Sequence, residues 1–289
     1  MGITDADAAE AAMQDMSQEE IEGRMALASG QEHTRPGAVV VGAWHTLGLK
    51  QDGTVLAAGR DDDGQCDVSE WKDVVQIAAG ARHSVALLRD GTVVATGSNE
   101  AHQCDVSEWK DVVEIACGDY ATFARFADGT VAHTGYLDYA DMDVWRDVTH
   151  ISAGSYMAAG LYGSGDVYAT HPSAMADNFS RLQDIALTTG GAVGLTHDGS
   201  TKATFKGFPK WTEVVQISAG SRCVLGIRAD GRVLAHFYRY TDAFEVGDIA
   251  DALCVAAGGA HSAILDGQGR VHAFGSNDYG QCDVSDWQL

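Results

Sequence analysis

Along most of the chain, short apolar runs alternate with polar turns that contain glycine. The clearest stretch begins Val74-Val75-Gln76-Ile77-Ala78-Ala79-Gly80, turns through Ala81-Arg82, and resumes as His83-Ser84-Val85-Ala86-Leu87-Leu88. Asp90-Gly91 then leads into Thr92-Val93-Val94-Ala95-Thr96-Gly97. Alternation over such short lengths predicts β-strands, and an Asp-Gly pair between them predicts a hairpin. The tight two-residue form of that hairpin is a type I′ turn, with positive φ at both central residues. The same pair returns at Asp52-Gly53, Asp128-Gly129, Asp198-Gly199 and Asp230-Gly231.

The pattern is periodic. Gly42, Gly80, Gly118, Gly154, Gly220 and Gly258 end the first apolar run of successive copies. Eleven residues after each stands a turn glycine: Gly53, Gly91, Gly129, Gly165, Gly231 and Gly269. A seventh copy ends at Gly199 and has Thr188 where the first glycine belongs. Turn glycines recur every 32 to 38 residues, a spacing that signals a repeat architecture. After the third strand, a polar loop into Cys104-Asp105-Val106 and Trp109 predicts one short outer strand. Four antiparallel strands in each of seven copies predict an all-β, seven-bladed β-propeller. The last copy, Gly275 to Trp287, is as regular as the first, which favours closure on itself over an open, capped solenoid. Trp71, Trp109, Trp145, Trp211 and Trp287 recur after the outer strand and are assigned to packing between blades.

Residues 1 to 33 do not follow the repeat. Alanine and acids from Asp5 to Asp15, then Ser17 followed by Glu20 as a capping box, predict an acidic, partly helical extension. The propeller is expected over 37 to 289.

Charge narrows the partners. The 289 residues carry 19 basic against 41 acidic side chains, a formal net charge of −22. That repels phosphate backbones and anionic lipid, so neither nucleic acid nor membrane is expected as a partner. The first 30 residues lack a basic start with an apolar stretch, so no signal peptide is read, and a cytoplasmic monomer is expected. Cys66, Cys104 and Cys282 share one repeat position, while Cys117, Cys223 and Cys254 fall on strands. No CxxC occurs, so reduced, mostly buried thiols are expected.

The run Gly258-Gly259-Ala260-His261-Ser262, then Gly269-Arg270-Val271, then Gly275-Ser276-Asn277-Asp278-Tyr279-Gly280-Gln281 resembles the regulator of chromosome condensation repeat. The resemblance covers about residues 37 to 289 and implies a seven-bladed propeller. Copies four to six depart from it, with His171, Phe205 and Phe237 replacing the glycine after the third strand. The family's eukaryotic founder exchanges nucleotide on a small GTPase and binds nucleosomes, which this acidic chain does not match. The chain is also similar to the bacterial propellers that inhibit β-lactamases, which implies a partner gripped by aromatic residues on one face.

The residue two after each first glycine lies in the turn between strands one and two. These are Trp44, Arg82, Tyr120, Tyr156, Gly190, Arg222 and Ala260. Rotation places them as a ring around the channel mouth, and most are types enriched at binding hot spots. Trp44, Arg82, Tyr120, Tyr156 and Arg222 are therefore the candidate partner-binding residues. His45, His83 and His261 begin strands in neighbouring copies and are expected to bond to their own hairpin backbone rather than hold a metal. Asp61-Asp62-Asp63-Gly64 lacks the spacing and distal Glu of a calcium loop and is expected to be solvated. The remaining histidines, including His150, form no constellation along the sequence. No catalytic, cofactor or metal residue is assigned. The expected function is a non-enzymatic protein-interaction scaffold. The alternatives are an enzyme with a metal or small-molecule site in the channel, or a β-lactamase-inhibitor-like binder.

Overall fold

The computed structural model describes residues 38–137, 142, 145–174, 179–238, 249 and 251–289. The acidic extension expected over residues 1 to 33 lies outside them. The described chain forms seven antiparallel sheets, each following the order of the sequence. Blade 1 holds β1 (Ala38–Val41), β2 (His45–Leu49) and β3 (Val55–Gly59). Blade 2 holds β4 (Val74–Ala79), β5 (His83–Leu88) and β6 (Val93–Gly97), and blade 3 β7 (Val112–Cys117), β8 (Ala121–Phe126) and β9 (Val131–Gly135). In blade 4 come β10 (Val148–Ala153), β11 (Ala158–Tyr162) and β12 (Val167–Ala169). Blade 5 has β13 (Leu182–Thr188), β14 (Gly191–Thr196) and β15 (Thr201–Ala203). Blade 6 comprises β16 (Val214–Ala219), β17 (Cys223–Arg228) and β18 (Val233–Phe237); blade 7 comprises β19 (Ala252–Ala257), β20 (His261–Asp266) and β21 (Val271–Gly275).

The seven-bladed, all-β reading holds, with three strands per sheet instead of four. The segment expected as an outer strand is a chain of tight turns. Asp67 N–H donates to Gly64 O, Val68 N–H to Cys66 O and Trp71 N–H to Val68 O. Asp61 Oδ1 takes the Cys66 N–H, as Asn99 and Asn277 do for Cys104 and Cys282. These local bonds use the backbone groups that a ladder would need.

The Asp-Gly hairpins also differ from type I′. Gly53 N–H donates to Lys50 O and Lys50 N–H to Thr54 O, and Gly53 alone of the turn has positive φ, at 80°. This is a type I turn followed by a left-handed glycine, the three-residue loop with a bulge. Asp52 sets it by accepting from both the backbone N–H and the hydroxyl of Thr54, at 3.0 and 2.5 Å.

Burial explains why the blades need one another. Each hydrophobic cluster spans two adjacent blades; one joins Leu47, Leu49 and Val55 of blade 1 to Val74, Ile77 and Ala86 of blade 2. The tryptophans sit in these interfaces as expected. Trp145, Trp211 and Trp287 cover the glycine at the middle of the next blade's second strand: Gly160, Gly226 and Gly48. Only glycine leaves room there, since a Cβ on Gly48 would lie 2.8 Å from the Trp287 ring. Phe179 replaces tryptophan between blades 4 and 5.

The C-terminal segment closes the ring. Leu289 N–H donates to Gly269 O at 2.9 Å, the bond that Val74 N–H makes to Gly53 O and Val112 N–H to Gly91 O. Val39 of β1 shares a cluster with Trp287, Leu289 and the strands of blade 7. Among the described residues, no helix is long and apolar enough to cross a membrane.

Candidate functional site

The inner strands of the seven blades surround a channel of about 550 Å³. At the face where each first strand turns into its second, it narrows to a mouth of about 100 Å³. The repeated first glycines form that mouth because neighbouring backbones meet there. A Cβ on Gly80 would lie 2.7 Å from Gly118 O, one on Gly118 2.5 Å from Gly154 O, and one on Gly258 2.4 Å from Gly42 O. Ala43 N–H donates to Gly80 O and Gly259 N–H to Gly42 O, so turns of adjacent blades are hydrogen-bonded to one another at the mouth.

Behind the mouth, the histidines bond across blades, not to their own hairpins as expected. His45 Nε2 meets Ser84 Oγ at 3.0 Å, His83 Nε2 meets Thr122 Oγ1 at 3.0 Å, and His261 Nε2 meets Thr46 Oγ1 at 2.8 Å. Each hydroxyl donates its own proton to a glutamine carbonyl: Gln65 O, Gln103 O or Gln281 O. The imidazole Nε2 must therefore be the protonated donor, and Nδ1 carries the lone pair. No hydrogen-bond partner faces Nδ1 of His45, His83 or His261. A second proton would be buried with nothing to accept it, and the pKa falls to about 3 for His45 and about 4 for His83 and His261. Burial is the main cause for all three, with repulsion from the other two histidines adding to it at His45. These residues are locks between blades. In blade 6, Cys223 takes the histidine's place and reaches Ser262 at 3.4 Å.

A second set of residues lies at the opposite end of the channel and was not legible as a constellation in the sequence. Gln76 bonds both the N–H and the carbonyl of Ile115 in the next blade, at 2.9 and 3.2 Å. Gln216 likewise accepts from Val255 N–H at 3.1 Å. The equivalent positions in blades 3, 4 and 5 are Glu114, His150 and Asp184. His150 Nδ1 pairs with Glu114, His150 Nε2 lies 3.2 Å from Asp184 Oδ1, and Arg125 Nε lies 2.7 Å from Glu114 Oε2. Burial alone lowers the His150 pKa, but the two carboxylates together outweigh it and raise it to about 10. Two cations against two carboxylates leave this cluster internally neutralised.

The candidate ring residues share the mouth face but not one environment. Trp44 is half-buried against Tyr279, edge-on with centroids 5.7 Å apart, and the Arg60 guanidinium lies 5.3 Å from the Tyr279 centroid. Arg82 is held by Asp63 through two bonds of 2.7 and 2.8 Å. Tyr120 and Tyr156 stack at 5.7 Å and 24°, with 36% and 40% of their surface exposed. Tyr136, which sequence reasoning did not select, stands at 83° to Tyr156. Arg222 is exposed on the turn of blade 6, and Ala260 is buried. In the acidic loop Asp61 and Asp62 are exposed, as expected, while Asp63 is half-buried; Asp61 caps Cys66, Asp62 bonds Arg60 at 2.6 Å and Asp63 bonds Arg82. The six cysteines are free, and burial raises their pKa values, to about 12 for Cys66 and about 11 for Cys104. Among the described residues, no group of three or more His, Cys, Asp or Glu side chains is arranged to hold a metal ion.

Fold and face together define a seven-bladed β-propeller whose blades are locked by repeat residues and whose turns carry the variable ones. Residues 38–65, 74–103 and 253–281 match the model of the regulator of chromosome condensation (RCC1) repeat, so blades 1, 2 and 7 carry that repeat. No curated protein sequence matches the chain. Among solved structures, it is similar to the CRINKLY WD40 ectodomain of the Arabidopsis thaliana receptor kinase ACR4. Identity is 15% and the TM-score 0.72, over 84% of this chain and 96% of that one. The ectodomain of the Physcomitrella patens receptor kinase CR4 gives 16% and 0.70, over 83% and 73%. At such identities the likeness is one of fold.

Proposed function

We propose that this protein is a non-enzymatic interaction scaffold that binds a protein partner on the channel-mouth face. The exposure of a contiguous tyrosine cluster beside the mouth carries this reading, because large aromatic side chains at loop tips leave apolar area in water until a partner covers it. Trp44, Tyr120 and Tyr156 are the aromatic anchors, and Arg82 and Arg222 contribute guanidinium groups at the rim. Asp63 holds the Arg82 fork in place, so that residue presents a fixed planar surface rather than a mobile charge. The channel is the poorer candidate, because the charged groups in its wall are already paired with one another. On this reading the protein acts as a cytoplasmic monomer without cofactor or metal.

The test is site-specific photo-crosslinking in the native host, with the crosslinker at Tyr156 on the mouth face and at Asp90 on the opposite face. A discrete adduct from position 156, absent from position 90 and lost in the Trp44→Ala/Tyr120→Ala variant, is expected. Equal adducts from both faces, or an adduct indifferent to that variant, would sink the proposal.

A further inference from the structure

At blades 1, 2 and 3 the ring residue faces one position of the loop arriving from the preceding blade, two residues before that loop's glutamine. Before Gln281 this is Tyr279, which covers Trp44. Before Gln65 it is Asp63, which grips Arg82. Before Gln103 it is Ala101, the counterpart for Tyr120. A methyl group there replaces a ring or a carboxylate, and Tyr120 keeps more than a third of its surface in water.

The ground beside Tyr120 is built from two dipeptides, Asp119-Tyr120 and Ser155-Tyr156. Asp119 N–H donates to Ser155 O at 3.2 Å, the Ser155 hydroxyl donates to the Asp119 carboxylate, and the two rings stack. Tyr136 forms a wall at nearly a right angle, with its centroid 6.5 Å from that of Tyr156. Asp119 lines the channel mouth, largely buried, and among the described residues no lysine, arginine or histidine pairs with it. Burial accordingly raises its pKa, with the Ser155 bond only partly opposing the rise. At the Trp44 end of the face the chain supplies its own cation: Arg60 sits over Tyr279 and is bound by Asp62. At blades 3 and 4 the aromatic rings and the carboxylate are present, and among the described residues no cation lies over Tyr120 or pairs with Asp119.

We propose that Tyr120, Tyr136, Tyr156 and Asp119 form a receptor for a lysine or arginine side chain of a protein partner, entering over Tyr120 beside Ala101. The proposal rests on the reading that this face binds a protein, and it names the chemistry of the contact. A cation over a tyrosine face is attracted by the ring quadrupole, more strongly where water is excluded. A carboxylate already stripped of much of its water regains a partner, and a chain of net charge −22 draws basic segments toward the face.

The test uses the full chain and an acetylated, amidated heptapeptide of glycine alternating with lysine and arginine, titrated by calorimetry near physiological salt. A glutamine version of the peptide is the control. Tyr120→Leu/Tyr156→Leu leaves the net charge unchanged, and Ala101→Trp supplies a cap of the kind Tyr279 gives Trp44. The basic peptide should bind the native chain and lose about tenfold in affinity with either variant, while the glutamine peptide should not bind. Melting curves check that both variants remain folded, and Ala101→Trp removes no existing packing. Equal binding to native and variant chains would mean attraction to the acidic surface as a whole and would overturn the receptor. Failure of the basic peptide to bind the native chain would overturn it too. In either case a crosslinked adduct from position 156 would leave the face assignment standing. If light scattering shows a dimer that the tyrosine variant dissociates, the occupant is a second copy and the proposal is wrong.

Discussion

Thr122→Val isolates the lock between blades 2 and 3. Valine keeps the shape of threonine, so no cavity opens; what is lost is one hydroxyl that accepts from His83 Nε2–H at 3.0 Å and donates to Gln103 O at 2.7 Å. Both His83 and Thr122 are fully buried, so water does not replace the missing partner. Leaving a buried donor or acceptor unsatisfied costs about 1–3 kcal/mol each, so the loss is about 3 kcal/mol in total. For a domain of this size that is about 6–12 °C in Tm. Thr92→Val is the matched control: its hydroxyl donates to Asp90 at 2.6 Å on an exposed turn, where such substitutions stay within about 0.5 kcal/mol. Differential scanning calorimetry of both variants at pH 7.5 is the assay. If Thr122→Val melts within about 2 °C of both the native chain and Thr92→Val, the relay does not hold the blades together and the reasoning fails.

Titration should destabilise the protein from both sides. His45, His83 and His261 are neutral when folded with pKa values near 3 to 4, so below the unfolded value of about 6.5 the unfolded chain binds more protons and urea midpoints should fall steadily toward pH 4. His150 has the opposite sign: its contribution is complete below about 6.5 and is lost as pH rises through about 10, so His150→Gln should flatten the alkaline limb of the urea-midpoint profile and leave the acid limb. Removing Trp287 to Leu289 takes away the cover of Gly48 and the bond to Gly269 O. The melting midpoint should fall by about 10 °C or more, and an unchanged midpoint would mean the ring closes by other contacts. Thiol alkylation by iodoacetamide at pH 8 should be slow at all six cysteines in the native state and fast in urea; a rapidly modified native thiol would contradict their raised pKa values.

What the sequence made legible was what most blades repeat. Gly42 and its equivalents, the Asp-Gly turns and the tryptophans recur in most copies, so a single chain displays the same constraint several times. The strand count escaped because Gln65-Cys66-Asp67-Val68 has the apolar spacing of a strand, while Asp61 folds the segment into turns from five residues upstream. The histidine locks escaped for a different reason. His83 and Thr122 stand 39 residues apart, and nothing local to either shows that rotation by one blade brings them together. The same applies to Glu114, His150 and Asp184, which are ordinary polar residues in their own strands and a charged cluster only once three blades are side by side. The ring of turn residues was legible by position; its division into covered and uncovered members was not, because each cover comes from the preceding copy.

If the mouth face binds a protein as proposed, that division gives it its selectivity. A propeller with seven identical blades would present the same group at every turn and select no orientation of a partner. Here the backbone ring at the mouth is close to uniform, set by glycines that cannot accept a Cβ, while the layer above it varies from blade to blade. Tyr279 over Trp44 and Asp63 on Arg82 are pairings the chain completes by itself; Ala101 leaves Tyr120 to be completed from outside. On the proposed reading a partner meets one aromatic corner beside a carboxylate that no cation among the described residues pairs, placed off the axis of the ring. An off-axis contact fixes the partner's rotation about the channel, which no contact centred on the mouth can do. Exchanging the pairings, with Ala101→Tyr and Tyr279→Ala together, should therefore move the crosslinked position around the face toward Trp44 rather than abolish the adduct. An adduct that stays at Tyr156 in that double variant would show that the loop covers do not decide where the partner sits.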